Sequence, residues 1–150
     1  MAGILAGTLA WMLFLSHIRF TPTPSLTHRL FWSVKTGVGA KRFKHGDYVL
    51  FRQYVPAPVN RTVGIAKRVE CIAGDTLRSD NNGDYYCNGR YLGRAKKYLA
   101  AGTQLRAFLY DGLVPIGEIF VCGDHKDSYD SRYFGFIRAS RVEEQWFPIF

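Results

Sequence analysis

Ser25 is the first residue whose type and position could do chemistry. It lies in the stretch FTPTPSLTHRLFW, residues 20–32, directly after a run with no charged residue from Ala2 to Ile18. A serine hydroxyl becomes a good nucleophile when an adjacent base takes its proton, so Ser25 needs a partner from elsewhere in the chain. Histidine and neutral lysine are the bases that known serine nucleophiles use.

Lys67 is the candidate base, because it falls on the apolar face of a predicted strand. In TVGIAKRVECIA, residues 62–73, side chains alternate between two faces, and Lys67 shares its face with Val63, Ile65, Val69 and Cys71. Burial among apolar groups lowers the pKa of a lysine and favours the neutral amine, which can act as a general base. The same pattern also fits a Lys67 that reaches solvent at the rim of the sheet and has no catalytic role.

The histidines offer no comparable partner for Ser25. The chain has His17, His28, His45 and His125, and no G-x-S-x-G elbow surrounds Ser25. His28 is three residues from Ser25, where a solvated side chain is expected. There is no H-E-x-x-H motif and no metal-binding cluster, so we expect neither a metal nor a cofactor.

The N-terminal segment predicts a membrane anchor at residues 1–20, followed by one domain at residues 21–150. Its uncharged run is close to the roughly 20 apolar residues that cross a bilayer core. A cleavable signal peptide is the main alternative, although no Lys or Arg precedes the apolar run. A buried core helix is the second alternative. The positive charges at Arg19 and Arg29 favour a cytoplasmic body, which is a weak argument for a domain of this length.

The body predicts a mostly β fold, arranged as a coiled antiparallel sheet or partial barrel. Short β-rich segments alternate with turn signals, and no sustained helical period is present beyond residue 45. The predicted strands include residues 47–55, 62–73, 106–110, 118–122 and 134–139. Asn88-Gly89 predicts a type I′ hairpin turn.

The three cysteines, Cys71, Cys87 and Cys122, exclude a CxxC redox motif and a zinc ribbon. If the domain lies outside the cytoplasm, one pair can form a disulfide. Cys71 and Cys87 are the expected pair, because both fall in strands predicted to be neighbours.

The formal net charge of +8 raises the question of nucleic-acid binding. The basic residues are scattered along the chain, and no helix carries a basic stripe. A basic surface on a membrane-tethered domain is also what anionic lipid headgroups attract. We therefore expect the basic surface of the protein to face a membrane rather than a nucleic acid.

Four blocks of the sequence resemble those of type I signal peptidases. GDHKDSYDSRYFGFI (123–137) resembles the last block of that family, and KRVECIAGD (67–75) resembles its lysine block. TPSL (23–26) resembles the nucleophile block, and GDYVLF (46–51) the strand between them. The blocks occur in the family's order. The short layout is similar to that of the TraF-type peptidases of conjugation systems, which lack the larger inserted domain of typical bacterial signal peptidases.

The resemblance implies a role for six residues. Ser25 would be the acylating nucleophile and Lys67 the general base. Ser128 would orient the lysine amine, and Asp130 with Arg132 would support this loop structurally. Thr23 would help the Ser25 backbone N–H to stabilise the oxyanion, although a turn residue between two prolines is an equally good interpretation. The Gly74-Asp75 turn is assigned no chemistry.

The resemblance also implies a substrate and a location. TraF-type peptidases process pilin precursors outside the cytoplasmic membrane, and some join the new ends into a ring. The expected protein is thus a single-pass inner-membrane protein with a periplasmic catalytic domain, acting on a precursor that emerges from the membrane. The alternatives are a general type I signal peptidase that removes leaders and a non-catalytic basic β domain in secretion assembly.

Three departures separate the chain from the usual family pattern. SLTHRLF lacks the Pro and Gly of the TraF-type nucleophile block, and CIAGD replaces G-x-P-G-D. The last block is one residue shorter between Asp124 and Ser128. These departures indicate a divergent branch, which affects the expected substrate more than the expected chemistry.

Overall fold

The chain folds mainly into β-structure, as expected from its alternating pattern. The computed structural model describes residues 11–23, 25–37, 41–98, 102 and 104–150. The strands are β1 (Ile18–Phe20), β2 (Leu30–Lys35), β3 (Tyr48–Val55), β4 (Arg61–Ile72), β5 (Thr76–Ser79), β6 (Asp84–Cys87), β7 (Arg90–Arg94), β8 (Asp111–Leu113), β9 (Glu118–Cys122), β10 (Ile137–Arg138) and β11 (Val142–Pro148). A short helix, α1 (Ser131–Phe134), and a 3-10 turn at Ala139–Arg141 lie near the C-terminus.

The strands form two antiparallel sheets. The large sheet has the order β1-β2-β11-β3-β4-β9-β10, and the small sheet has the order β7-β6-β5-β8. The small sheet is formed by the chain segment between β4 and β9, so it is an insertion between two neighbouring strands of the large sheet. This arrangement confirms the predicted mostly β, antiparallel class.

β4 is the strand on which the site depends. It pairs with β3 from Arg61 to Arg68 and with β9 from Arg68 to Ile72. Lys67 is only 4% exposed, which confirms that its side chain lies on the buried face. A β-bulge follows between Val69 and Cys71, and Glu70, between them, is buried as well. Strict alternation of side chains would place Glu70 on the face opposite to that of Lys67 and Val69.

Three apolar clusters stabilise the sheets. The first packs on β3, β4 and β9 and includes Phe51, Val69 and Val121. The second joins the small sheet to β9 through Leu77, Tyr85 and Phe120. The third comprises Leu26, Phe31, Tyr48 and Trp146. Leu26 is the neighbour of Ser25, so this third cluster fixes the segment that carries the candidate nucleophile.

Some predicted strands are wrong or too long. Residues 106–110 are not a strand, although Phe108 and Tyr110 pack beside the second cluster. Of residues 134–139, only Ile137–Arg138 form a strand. The Asn88-Gly89 turn is confirmed, with φ of 49° and 80°, the two positive values that a type I′ turn requires.

The predicted anchor lies partly outside the described residues, since residues 1–10 are not among them. Residues 11–16 are helical, and Ile18–Phe20 pair with β2 as the edge strand β1. Within the described part of the chain, no helix has the length and apolarity needed to cross a membrane.

The expected disulfide is present. Cys71 of β4 and Cys87 of β6 are bonded, with their Cα atoms 5.9 Å apart, so the bond links the large sheet to the small one. Cys122 is free and buried at the end of β9. Burial raises the pKa of the Cys122 thiol well above its ordinary value, and the nearby charge of Asp130 adds to this.

Removing the disulfide should destabilise the fold. A Cys71→Ala, Cys87→Ala double variant is expected to lose about 3 kcal/mol of unfolding free energy, because the open chain regains loop entropy. Urea unfolding measures this loss, and dithiothreitol should lower the stability of the wild type by a similar amount. Cys122→Ala is the control, because it should keep its sensitivity to the reductant. Equal midpoints for the oxidised wild type and the double variant would contradict the prediction.

Candidate active site

Ser25 lies in the loop between β1 and β2. The base of this loop is closed by the Thr21 N–H, which donates to the Arg29 carbonyl at 3.0 Å. Leu26 is 2% exposed in the third apolar cluster, whereas Ser25 is partly exposed. Burial of the leucine therefore holds the serine at the surface of the domain.

Ser25 and Lys67 line the same cleft, which has a volume of about 410 Å³. The walls are mainly apolar and include Leu50, Val55, Val59, Val63, Ile65, Ala66, Tyr129 and Trp146. The structure thus brings together the two residues that the sequence predicts as nucleophile and base, although they are 42 positions apart in the chain.

The Lys67 amine lies in surroundings that disfavour its charge. Desolvation by burial lowers the pKa of Lys67 below its usual 10.5. The negative charge of Asp130 opposes this shift, and the positive charge of Arg132 adds to it. Burial is the largest of these effects, so the pKa of Lys67 is lowered overall and the neutral amine becomes accessible.

Asp130 and Arg132 form a buried ion pair. Arg132 donates from Nε to Asp130 Oδ1 at 2.8 Å and from Nη2 to Oδ2 at 2.7 Å. Their side chains are 0% and 3% exposed. The backbone N–H groups of Gly123 and Arg132 also donate to the Asp130 carboxylate. The pair ties β9 to helix α1, which is compatible with the structural support implied by the resemblance.

Ser128 is buried, and its Oγ has no hydrogen-bond partner among the described residues. Native proteins rarely leave a buried hydroxyl unpaired, so such a group calls for an explanation. Its Oγ lies 2.1 Å from the point where a side chain on Gly123 would begin, and the Ser25 carbonyl oxygen lies 2.9 Å from the same point. Ser128 is therefore close to the loop that carries Ser25.

Thr23 contacts the nucleophile directly. Its hydroxyl donates a hydrogen bond to Ser25 Oγ at 3.2 Å. A hydroxyl at this distance can move to an oxyanion that forms beside Ser25. The placement is compatible with the role implied by the resemblance.

Asp124 is a site residue that the sequence analysis missed. Its N–H donates to the Ser25 carbonyl at 2.7 Å, and its Oδ2 accepts from the Thr27 N–H at 2.8 Å. Asp124 therefore hydrogen-bonds to the loop on both sides of Leu26. The signal was weak, because the pair Gly-Asp occurs four times in the chain, at residues 46–47, 74–75, 83–84 and 123–124.

One group of potential metal ligands exists among the described residues, formed by His45, Asp75 and Cys87, with ligand atoms within 4.8 Å of one another. Cys87 is bonded to Cys71 and offers no thiolate. Asp75 already accepts hydrogen bonds from the Ile72 N–H and from Asn88. These residues do not fit a metal site.

Gly123→Ala should impair the site. A methyl group there would lie 2.1 Å from Ser128 Oγ and 2.9 Å from the Ser25 carbonyl oxygen, so the nucleophile loop must shift. Displacement of about 1 Å can cost about 100-fold in rate. We expect a fall of at least about 10-fold in kcat/KM for peptide cleavage. Gly37→Ala is the control, because it too replaces a glycine without a positive φ, and its added carbon has no atom within 4 Å. Full activity in Gly123→Ala would show that the close approach is not required.

The chain matches the family model described as "Signal peptidase, peptidase S26" over residues 1–149. No curated protein matches the chain. Among solved structures, signal peptidase I from Enterococcus faecalis is similar, with 29% identity, coverage of 70% of this chain and 97% of that chain, and a TM-score of 0.42. Because the family match spans nearly the whole sequence, the protein belongs to the signal peptidase family, peptidase S26, which consists of serine peptidases.

Proposed function

We propose that the protein is a membrane-anchored endopeptidase that uses Ser25 and Lys67 to process a secreted precursor, with a conjugative pilin as the favoured substrate. One observation carries the catalytic part of this proposal: a buried lysine and a serine from a distant loop line the same apolar cleft. Membership of the signal peptidase family supports peptide cleavage of a precursor.

The first half-reaction acylates Ser25. The neutral Lys67 amine takes the hydroxyl proton as Ser25 Oγ attacks the scissile carbonyl carbon. The oxyanion is stabilised by the Ser25 N–H and the Thr23 hydroxyl. When the peptide C–N bond breaks, the lysine ammonium gives its proton to the departing amine. An ester to Ser25 remains, and Lys67 is neutral again.

The second half-reaction releases the ester. Lys67 takes a proton from an attacking water, the C–O bond to Ser25 breaks, and the serine recovers its proton. An amine of the precursor can replace the water, in which case the product is a ring closed by a new peptide bond. Both routes use the same acyl-enzyme.

The geometry of β4 favours an extended substrate. Residues 61–67 pair with β3 on one side, and pairing with β9 begins only at Arg68. No other strand of the described chain occupies the free edge of residues 61–67. A substrate strand can add to this edge beside the cleft, with alternate side chains entering the apolar pocket.

Two features support a periplasmic location. A disulfide between Cys71 and Cys87 is typical of an oxidising compartment. The uncharged N-terminal run suits an anchor that leaves Ser25 near the membrane surface. The pilin is favoured by the likeness of the short block layout to TraF-type peptidases.

A general signal peptidase that removes leader peptides is the second candidate. The description of the matching family model favours it. A panel of one pilin precursor and one ordinary secretory precursor, analysed by intact mass, separates the two candidates. Exclusive cleavage of the ordinary precursor would overturn the pilin assignment and leave the Ser–Lys chemistry intact.

Ser25→Ala and Lys67→Met should each abolish processing. Loss of the nucleophile or the base is expected to lower kcat by at least about 10³-fold. Lys67→Met should be as stable as the wild type or more so, because methionine fills the buried site without a charge to desolvate. Intact mass spectrometry of the precursor and thermal unfolding measure both effects. Lys35→Met, at the exposed end of β2, is the matched control. Processing by Lys67→Met would contradict the dyad.

Activity should rise with pH until the Lys67 ammonium has lost its proton. Burial lowers the pKa of Lys67, so the rise in kcat/KM should level off below the usual lysine value of 10.5. The unfolded chain binds more protons between the lowered and the ordinary pKa, so Lys67 should also make stability increase with pH across that window. A pH series of initial rates tests the first effect. A flat profile between about pH 6 and pH 9 would contradict a titrating lysine base.

A further inference from the structure

Glu70 is a buried acid that the reaction described above does not use. It lies at the bulge of β4, three residues after Lys67, and its side chain is 5% exposed. A buried carboxylate is costly unless opposite charges compensate it. Two arginines, Arg68 and Arg90, supply that compensation.

The two arginines bind opposite oxygens of Glu70. Arg90 Nη2 donates to Glu70 Oε2 at 2.6 Å and to the Glu70 carbonyl at 3.2 Å. Arg68 Nε lies 2.7 Å from Glu70 Oε1. Glu70 therefore separates two guanidinium groups that would repel each other without it.

Arg68 connects Glu70 to the nucleophile loop. The same Nε lies 3.2 Å from Asp124 Oδ1. Among the described residues, this nitrogen lies in directed hydrogen-bond geometry with neither acid, so charge attraction holds it between them. The Arg68 side chain is 39% exposed, which leaves it free to move when one acid loses its charge.

Asp124 completes the connection. Its Oδ1 faces Arg68 while its Oδ2 holds the Thr27 N–H, and its own N–H holds the Ser25 carbonyl. The position of Ser25 thus depends on Asp124, and the position of the Asp124 carboxylate depends on Arg68.

We propose that Glu70 is a positioning residue for the peptidase reaction, which holds Arg68 midway between its own carboxylate and that of Asp124 and thereby fixes the loop that carries Ser25. The proposal rests on the proposed role of Ser25 as the nucleophile. Glu70 touches neither the substrate nor the reacting atoms. It acts through the chain of contacts from Arg90 to Asp124.

Glu70→Gln is the direct test, because it removes the charge and preserves the shape. Arg68 is then repelled by Arg90 and attracted by Asp124 alone, so the Asp124 carboxylate turns toward Arg68 and its Oδ2 releases the Thr27 N–H. The Ser25 loop thereby gains freedom. We expect kcat for precursor cleavage to fall about 10- to 100-fold with KM within about twofold of the wild type. Amide hydrogen exchange of the full-length protein in detergent should accelerate in residues 25–28 and remain unchanged in β3 and β9.

A second substitution distinguishes positioning from a general structural role. Arg90→Gln added to Glu70→Gln removes the repulsion, so kcat should recover at least about threefold and the exchange of residues 25–28 should slow. Glu143→Gln is the matched control, since it makes the same change in an exposed pair 3.5 Å from Arg52. It should alter neither kcat nor the exchange of residues 25–28.

Four outcomes would overturn the proposal. They are unchanged exchange of residues 25–28 in Glu70→Gln, unchanged kcat in that variant when the wild type is active, equally faster exchange in all strands, and no recovery with Arg90→Gln. If the wild type leaves every precursor as intact as Ser25→Ala does, the proposed function fails instead. The exchange measurements still decide whether Glu70 holds the loop.

Discussion

The buried ion pair between Asp130 and Arg132 determines what Lys67 can do. A lysine amine buried near a free carboxylate would form a salt bridge, and its proton would then be held more tightly. Here both oxygens of Asp130 are occupied by the Arg132 guanidinium and by backbone N–H groups. The positive charge of Arg132 also offsets the field of Asp130 at Lys67. Desolvation can therefore dominate, and a neutral amine becomes accessible in a site that contains an acid.

Two local irregularities make room for this arrangement in an otherwise regular sheet. The bulge at Glu70 turns a charged side chain inward, where it meets Arg68 and Arg90. The missing side chain of Gly123 lets the Ser25 carbonyl and Ser128 approach the end of β9. Both irregularities lie within a few residues of Lys67 or Asp124. The regular part of β4 positions the base, and the irregular parts bring the nucleophile loop to it.

The sequence predicts regular alternation along a strand better than it predicts contacts between distant segments. The burial of the Lys67 side chain could be predicted because β4 is regular from Arg61 to Val69, so the alternation of side chains places it on the correct face. Asp124 was not, since its contacts with Ser25 and Thr27 join segments about a hundred residues apart, which no local pattern encodes. Residues 106–110 have the sequence pattern of a strand because Phe108 and Tyr110 pack against the second cluster. The Phe108 N–H, however, donates to the Arg132 carbonyl and belongs to no β-ladder. The inward turn of Glu70 depends on the bulge in the pairing of β4 with β9, which the sequence around Glu70 does not reveal.

The unpaired third cysteine has a consequence for how the chain matures. In the unfolded state Cys71, Cys87 and Cys122 are equally accessible, so three different disulfides compete and one of them is native. Once β9 has packed, Cys122 is 3% exposed and burial keeps it in the unreactive thiol form. Correct oxidation therefore requires that β9 packs and buries Cys122 before an oxidant reaches its thiol. A substitution that slows this packing would lower the yield of correctly bridged protein without touching any residue of the cleft.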